Sequence, residues 1–157
     1  MQNLRIDKKG LSLIEVIIVA AIVLILFSVS QTAFNGFRKK QNLLEAANKI
    51  ESFLKEARSM TISAVDSSNY GVHFEQNKAV FFKGSIFSLE DLNNKEFILN
   101  NFIEISDINL PENCDVVFNK LSGSTDCFGS IVVSLVSDSS KFKTVEIYPT
   151  GISFINE

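Results

Sequence analysis

Lys8-Lys9-Gly10-Leu11-Ser12-Leu13-Ile14-Glu15-Val16-Ile17-Ile18-Val19-Ala20-Ala21-Ile22-Val23-Leu24-Ile25-Leu26-Phe27 decides how this chain is read. Two lysines and a glycine lead into an apolar run that is broken once, by Glu15. From Leu11 to Val29 the run makes about 28 Å of helix, close to the thickness of a bilayer's hydrocarbon core. Its β-branched Ile and Val disfavour a helix in water. In lipid, a helix is the one single-segment structure that satisfies every backbone group. Arg5, Lys8 and Lys9 precede the run, so the positive-inside rule predicts a cytoplasmic N-terminus and a remainder carried outside the inner membrane.

Glu15 is the anomaly. A carboxylate inside an apolar segment costs on the order of 3 kcal/mol. It is tolerated near the interface, when protonated, or beside a cation. Cleavage after Gly10 would put a free amine on Leu11, one helical turn from Glu15, where the two could pair within a chain or between neighbouring chains. Three plainer readings compete. A single-pass anchor explains the length and the lysines but leaves Glu15 unexplained. A secretory signal peptide cut after Ser28-Val29-Ser30 would need a Glu inside an apolar region longer than such peptides use. A buried core helix has no reason to be hydrophobic all round.

Gly10, the apolar Leu11, Ser12-Leu13-Ile14 and Glu15 at the fifth position after the glycine resemble the class III leader of type IV prepilins and type II secretion pseudopilins. Leu11 stands where that family most often has phenylalanine. The resemblance implies that a prepilin peptidase in the membrane cuts between Gly10 and Leu11 and methylates Leu11. It also implies that Glu15 helps recruit the subunit into a helical filament. The expected partners are that peptidase, other pilin or pseudopilin subunits, and membrane lipid before assembly. The expected location is the cytoplasmic membrane, single-pass, and then a pilus or pseudopilus.

Composition bounds the remainder. The 157 residues leave room for one modest domain beyond the apolar run, and 46% apolar content with 14 Phe is enough for a core. Formal net charge is −3, and loss of Arg5, Lys8, Lys9 and Asp7 with residues 1–10 would leave −5. That balance argues against nucleic-acid binding. The two cysteines, Cys114 and Cys127, fall on the exported side. There an even count favours one disulfide over two separately buried thiols, closing a loop of about 14 residues worth roughly 3 kcal/mol. His73 is the only histidine. The sequence shows no Ser-His-Asp set, no paired metal ligands and no Gly-rich phosphate loop, so no catalytic residue, metal, cofactor or small-molecule substrate is expected.

The helix should not stop at the membrane. Leu43, Ala47, Ile50, Leu54 and Ala57 recur at spacings of four and three, with Phe53 and Met60 widening the face. Lys39, Lys40, Asn48, Lys49, Lys55 and Arg58 occupy the opposite face. One helix of about 50 residues is expected, loosened at Gly36 and ended by Asp66-Ser67-Ser68-Asn69. Arg38-Lys39-Lys40 lie just beyond the run on the outer side, against the simple orientation rule, and read as a solvated helix face.

The pattern then turns strand-like. Residues 70–74 and 78–82 read as a hairpin, residues 84–101 as a looser connection, and 102–105, 115–118, 130–135, 143–148 and 152–155 as further strands. Asp138-Ser139-Ser140-Lys141 and Pro149-Thr150-Gly151 are turn signals. The division is a leader over 1–10, a transmembrane or filament-core segment over 11–30, an amphipathic helix over 31–65 and an exported β domain over 66–157. The fold class is α+β and pilin-like: a long N-terminal helix, membrane-spanning in its first half and amphipathic in its second, packed on a small antiparallel sheet or sandwich.

Leu54-Lys55-Glu56-Ala57-Arg58-Ser59 followed by a hairpin resembles the GspH/FimT group of minor pseudopilins and minor pilins. So do Val117-Phe118 with Gly123 five residues on, Ile131-Val132-Val133, and Val145-Glu146-Ile147-Tyr148-Pro149-Thr150-Gly151. Some pilins of this group bind DNA through an arginine-bearing tail after the last Gly. The tail here, Ile152-Ser153-Phe154-Ile155-Asn156-Glu157, carries no cation. A DNA-uptake or adhesive pilin is therefore the alternative, below a purely structural subunit, and a plain anchored exported protein comes third.

Overall fold

The computed structural model describes residues 12–112 and 114–156. Helix α1 runs Leu13–Ile62. The chain divides into two compact units, residues 1–38 and 39–157. In the first, every side chain described from Ser12 to Ser28 is exposed, on all faces of the helix. An isolated surface helix in water buries one stripe; a helix apolar all round needs lipid or neighbouring protein.

In the second unit the same helix becomes amphipathic and packs on antiparallel sheets, giving an α+β fold of pilin-like type. Leu43, Ala46, Ala47, Ile50, Phe53, Leu54 and Ala57 are buried along one face. Ile50 and Leu54 are fully covered, and each contributes roughly 2 kcal/mol by burial. Ala47 and Ala57 are equally covered, so a leucine at either position would overpack by about 1–3 kcal/mol. The helix ends earlier than its polar exit suggests. Ala64 is left-handed at φ 49°, and a single 3₁₀ turn, Val65–Ser67, follows, with Asp66 and Ser67 also at positive φ. Buried Thr61 donates to the Ala57 carbonyl at 2.8 Å and accepts the Tyr70 N–H at 2.9 Å, which fixes the first strand to the helix end.

Eight strands follow: β1 Tyr70–Glu75, β2 Lys78–Lys83, β3 Lys95–Ile98, β4 Ile103–Asn109, β5 Val116–Val117, β6 Gly129–Leu135, β7 Asp138–Ile147 and β8 Ser153–Asn156. They form two four-stranded sheets, in the orders β3-β2-β1-β5 and β4-β6-β7-β8, with every pairing antiparallel. Val72, Phe74, Phe81 and Val116 from one sheet share a core with Ile105, Ile131, Val133, Val145 and Ile147 from the other and with the helix face.

Two features differ from the sequence reading. Strand β3 lies inside the stretch expected to be a loose connection. It is an edge strand paired only with β2, and none of its residues is buried, so it carries no alternation to read. The β6–β7 turn is Val136–Ser137, and Asp138–Lys141 belong to β7. The Asp138 carboxylate accepts the Ser140 N–H at 3.2 Å and its hydroxyl at 2.6 Å. That local bonding mimics a turn signal but here sits beside a bulge at Ser134/Leu135.

Candidate functional site

Glu15 occupies the first turn of α1. Ser12 stands immediately before it, and its carbonyl accepts the N–H groups of Glu15 at 3.0 Å and Val16 at 3.2 Å. Ser12-Leu13-Ile14-Glu15 has the S-x-x-E spacing of a helix start, a signal in the sequence that the emphasis on Glu15 alone passed over. The carboxylate thus sits at the positive end of the helix dipole. Among residues 12–28 there is no Lys, Arg or His. Ser28 turns its hydroxyl back onto the Ile25 carbonyl at 2.8 Å, as suits a hydroxyl in an apolar medium. Gly10 and Leu11, the expected cleavage and methylation positions, lie outside the described residues, as does the leader 1–10. Among the described residues no helix is long and apolar enough to cross a membrane.

Cys114 and Cys127 are joined, with Cα atoms 5.9 Å apart. The link ties the segment entering β5 to the segment entering β6, one in each sheet, with Cys127 buried. Between them the chain folds back through a Phe118–Thr125 bridge and an Asn119 N–H to Ser124 carbonyl bond of 2.8 Å.

Arg58 is not part of a solvated face. It is half-buried, its Nε–H donates to the Gly123 carbonyl at 3.0 Å, and its Nη2 donates to the Thr150 carbonyl at 3.4 Å. Gly123 and Gly151 are both left-handed, at φ 65° and 75°. A Cβ on Gly151 would run into the Gly123 carbonyl, and one on Gly123 would meet the Ile62 side chain. The three residues therefore form one knot that joins the helix end, the disulfide loop and the β7–β8 turn. Helical periodicity alone assigned Arg58 to the polar side, and no local signal reveals the two distant carbonyls that receive it.

His73 is fully engaged. Its Nδ1 lies 2.6 Å from Asp115 Oδ1, its Nε2 lies 3.7 Å from Glu75 Oε1, and its ring stacks on Phe87 with centroids 4.0 Å apart. It cross-links β1 to the chain beside Cys114. Among the described residues no three His, Cys, Asp or Glu side chains gather as metal ligands.

A family model for the prokaryotic N-terminal methylation motif matches residues 5–30. This supports the reading of this segment as a class III prepilin leader. The match supports a structural subunit of the type IV pilin or pseudopilin type, processed by a prepilin peptidase and assembled with other such subunits. Neither a curated protein nor a solved structure matches the chain.

Proposed function

We propose that the chain is a minor subunit of a type IV pilus or type II secretion pseudopilus, of the GspH/FimT kind. In this reading Gly10–Leu11 is cleaved and Leu11 is methylated. The helix from Leu11 then waits in the cytoplasmic membrane as a single span, with residues beyond about 30 outside, before sliding into a filament core and exchanging lipid for neighbouring helices. Glu15 meets a neighbour's N-terminal amine. The observation that carries this is the apolar helix exposed on every face from Leu13 with one carboxylate in its first turn, behind a matched methylation motif. The subgroup is supported by Arg58, Gly123 and Gly151, residues of the quoted resemblance, converging in one bonded knot. Nucleic-acid binding and catalysis are no part of this reading, given the acidic balance and cation-free tail.

Two measurements test it. Intact mass of membrane-extracted protein should lack the first ten residues and carry one extra methyl; a start at Gln31 would establish a signal peptide instead. Glu15→Val removes a carboxylate whose membrane cost is on the order of 3 kcal/mol, so insertion should be no worse. If the carboxylate serves subunit contact, incorporation into sheared filaments should nonetheless fall sharply beside wild type. Equal incorporation would overturn the assembly role.

A further inference from the structure

Between the end of α1 and the β7–β8 turn lies a hollow of about 320 Å³ whose walls offer more donors than the chain uses. Arg58 lines it, and its guanidinium bonds two neutral carbonyls, of Gly123 and Thr150. No carboxylate pairs with Arg58 among the described residues, and neither carbonyl bond uses Nη1, so part of the fork is left to donate. Ser153 lines the same hollow and is 3% exposed, yet its hydroxyl has no hydrogen-bond partner among the described residues. A buried hydroxyl left unmet is costly, so it marks a place for an acceptor from outside the chain. Ser59 and Ser63 add exposed hydroxyls to the wall. Lys55 adds an ammonium that is paired with Glu51 at 2.9 Å but largely in solvent, where such a pair is weak. Ile62 and Ile152, both partly exposed, supply the apolar part of the wall.

We infer that this hollow binds a carboxylate. The helix C-terminus beside it opposes an anion with only about half a charge. The Ser59 and Thr61 carbonyls there already accept the N–H groups of Ser63 and Ala64. One guanidinium without an acid partner therefore suits a monoanion. A phosphomonoester brings about −1.5 to −2, more than this wall balances, and a phosphodiester comes on a polyanion that a chain of net charge −3 repels. The planar oxygen pair of a carboxylate matches the guanidinium fork. Ile62 and Ile152 suit the hydrocarbon that carries such a group. The same chemistry is found on a free small acid and on an Asp or Glu side chain of a partner protein. The inference concerns the β domain with its packed helix end and stands independently of the filament reading above.

The test follows the amide resonances of the full ¹⁵N-labelled chain in detergent at neutral pH and constant ionic strength. Sodium acetate, N-acetyl-glutamate methylamide or sodium phosphate is added in separate titrations. Resonances of residues 59–63 and 151–153 should move saturably with both carboxylates, with roughly millimolar affinity for so few atoms. Those of β3, Lys95–Ile98, should stay in place. Ser153→Ala removes a hydroxyl that bonds nothing in the fold, and should weaken binding about tenfold. Lys55→Gln should weaken it less, by about two- to fivefold. Arg58 is left intact because its carbonyl bonds hold the helix end to the sheet. Tighter binding of the blocked glutamate than of acetate upholds the site and assigns it to a partner's acidic side chain. Tighter binding of acetate upholds it and assigns a free small acid. Phosphate that binds as tightly as acetate, no saturable shift with either carboxylate, or an affinity unchanged in Ser153→Ala would overturn the inference.

Discussion

Replacing Gly151 with alanine tests the knot that ties the helix to the sheet, and the structure fixes both the sign and the size. At φ 75° an alanine loses about 1–2 kcal/mol against glycine. Its Cβ would also occupy the space of the Gly123 carbonyl, which accepts the Arg58 Nε–H at 3.0 Å. The carbonyl must retreat, and a charge-assisted bond at a half-buried site is worth about 1.5–3 kcal/mol. The expected loss is about 3–4 kcal/mol, a large share of the 5–15 kcal/mol that holds most domains together. Urea unfolding of the mature chain in detergent, followed by the near-UV signal of buried Tyr70 packed on Phe81, would read this as a midpoint lowered by roughly 1.5–2 M.

The mechanism is separable from mere strain. Arg58→Met alone should cost about 2 kcal/mol by removing the guanidinium. If Gly151→Ala acts partly by displacing the Gly123 carbonyl from Arg58, the double variant should lose less than the sum, with a coupling of about 1.5 kcal/mol. Gly36→Ala, with nothing within 4 Å of its added Cβ and a helix propensity about 1 kcal/mol better, should not lower the Tyr70 transition. Additive losses, or a Gly151→Ala cost below about 1 kcal/mol, would refute the argument that the two turns and the arginine act as one unit.

Two further outcomes follow from the same domain. Reductant should lower the stability of wild type by roughly 3 kcal/mol and leave Cys114→Ala/Cys127→Ala unchanged, while an insensitive wild type would show that the cross-link over a separation of 13 residues does not form. The hydrogen bond from Lys83 at 2.9 Å, and then its charge, hold the Asp66 carboxyl below its ordinary 3.8, and the same bond raises Lys83 above 10.5. The carboxylate's contribution is complete above pH 3.8 and disappears as pH falls through its lowered value. The lysine's is complete below pH 10.5 and disappears as pH rises through its raised value. Wild type should therefore exceed Lys83→Met in stability across the neutral range, and the two should converge at the acid extreme; a gap that persists there would mean the lysine acts through packing.

What the sequence disclosed follows the reach of each signal. The helix and its buried face were legible because Leu43, Ala47, Ile50, Leu54 and Ala57 repeat within one element. The β1–β2 hairpin was legible because Gln76-Asn77 separate two apolar runs. Strand β3 was not, because a peripheral strand with its side chains in solvent needs no alternation, and its register with β2 is set by partners far away in sequence. Arg58 failed for a related reason. Its polarity satisfies the helix's outer face equally well, and only the fold brings the Gly123 and Thr150 carbonyls to it. At the N-terminus the limits reverse: the apolar run and Glu15 say more than the neighbours within this chain, since the side chains there touch so little of it.

That contrast bears on Glu15, where magnitudes decide between local and intermolecular explanations. As a first-turn carboxylate it gains about 0.3–1 kcal/mol from the helix dipole. Placement in lipid costs it on the order of 3 kcal/mol. The dipole therefore leaves roughly 2 kcal/mol uncompensated, and residues 12–28 supply no cation to make up the difference. On the proposed reading, the amine that cleavage between Gly10 and Leu11 would create is the source to test. If that amine belonged to the same chain, the pair would exist equally in the lone subunit and the filament, and Glu15→Val would shift both states alike. If it belongs to a neighbour, the compensation exists only in the filament, and the same substitution favours the membrane state while penalising the assembled one. The ratio of filament to membrane protein, rather than either amount alone, is therefore the quantity that separates the two pairings.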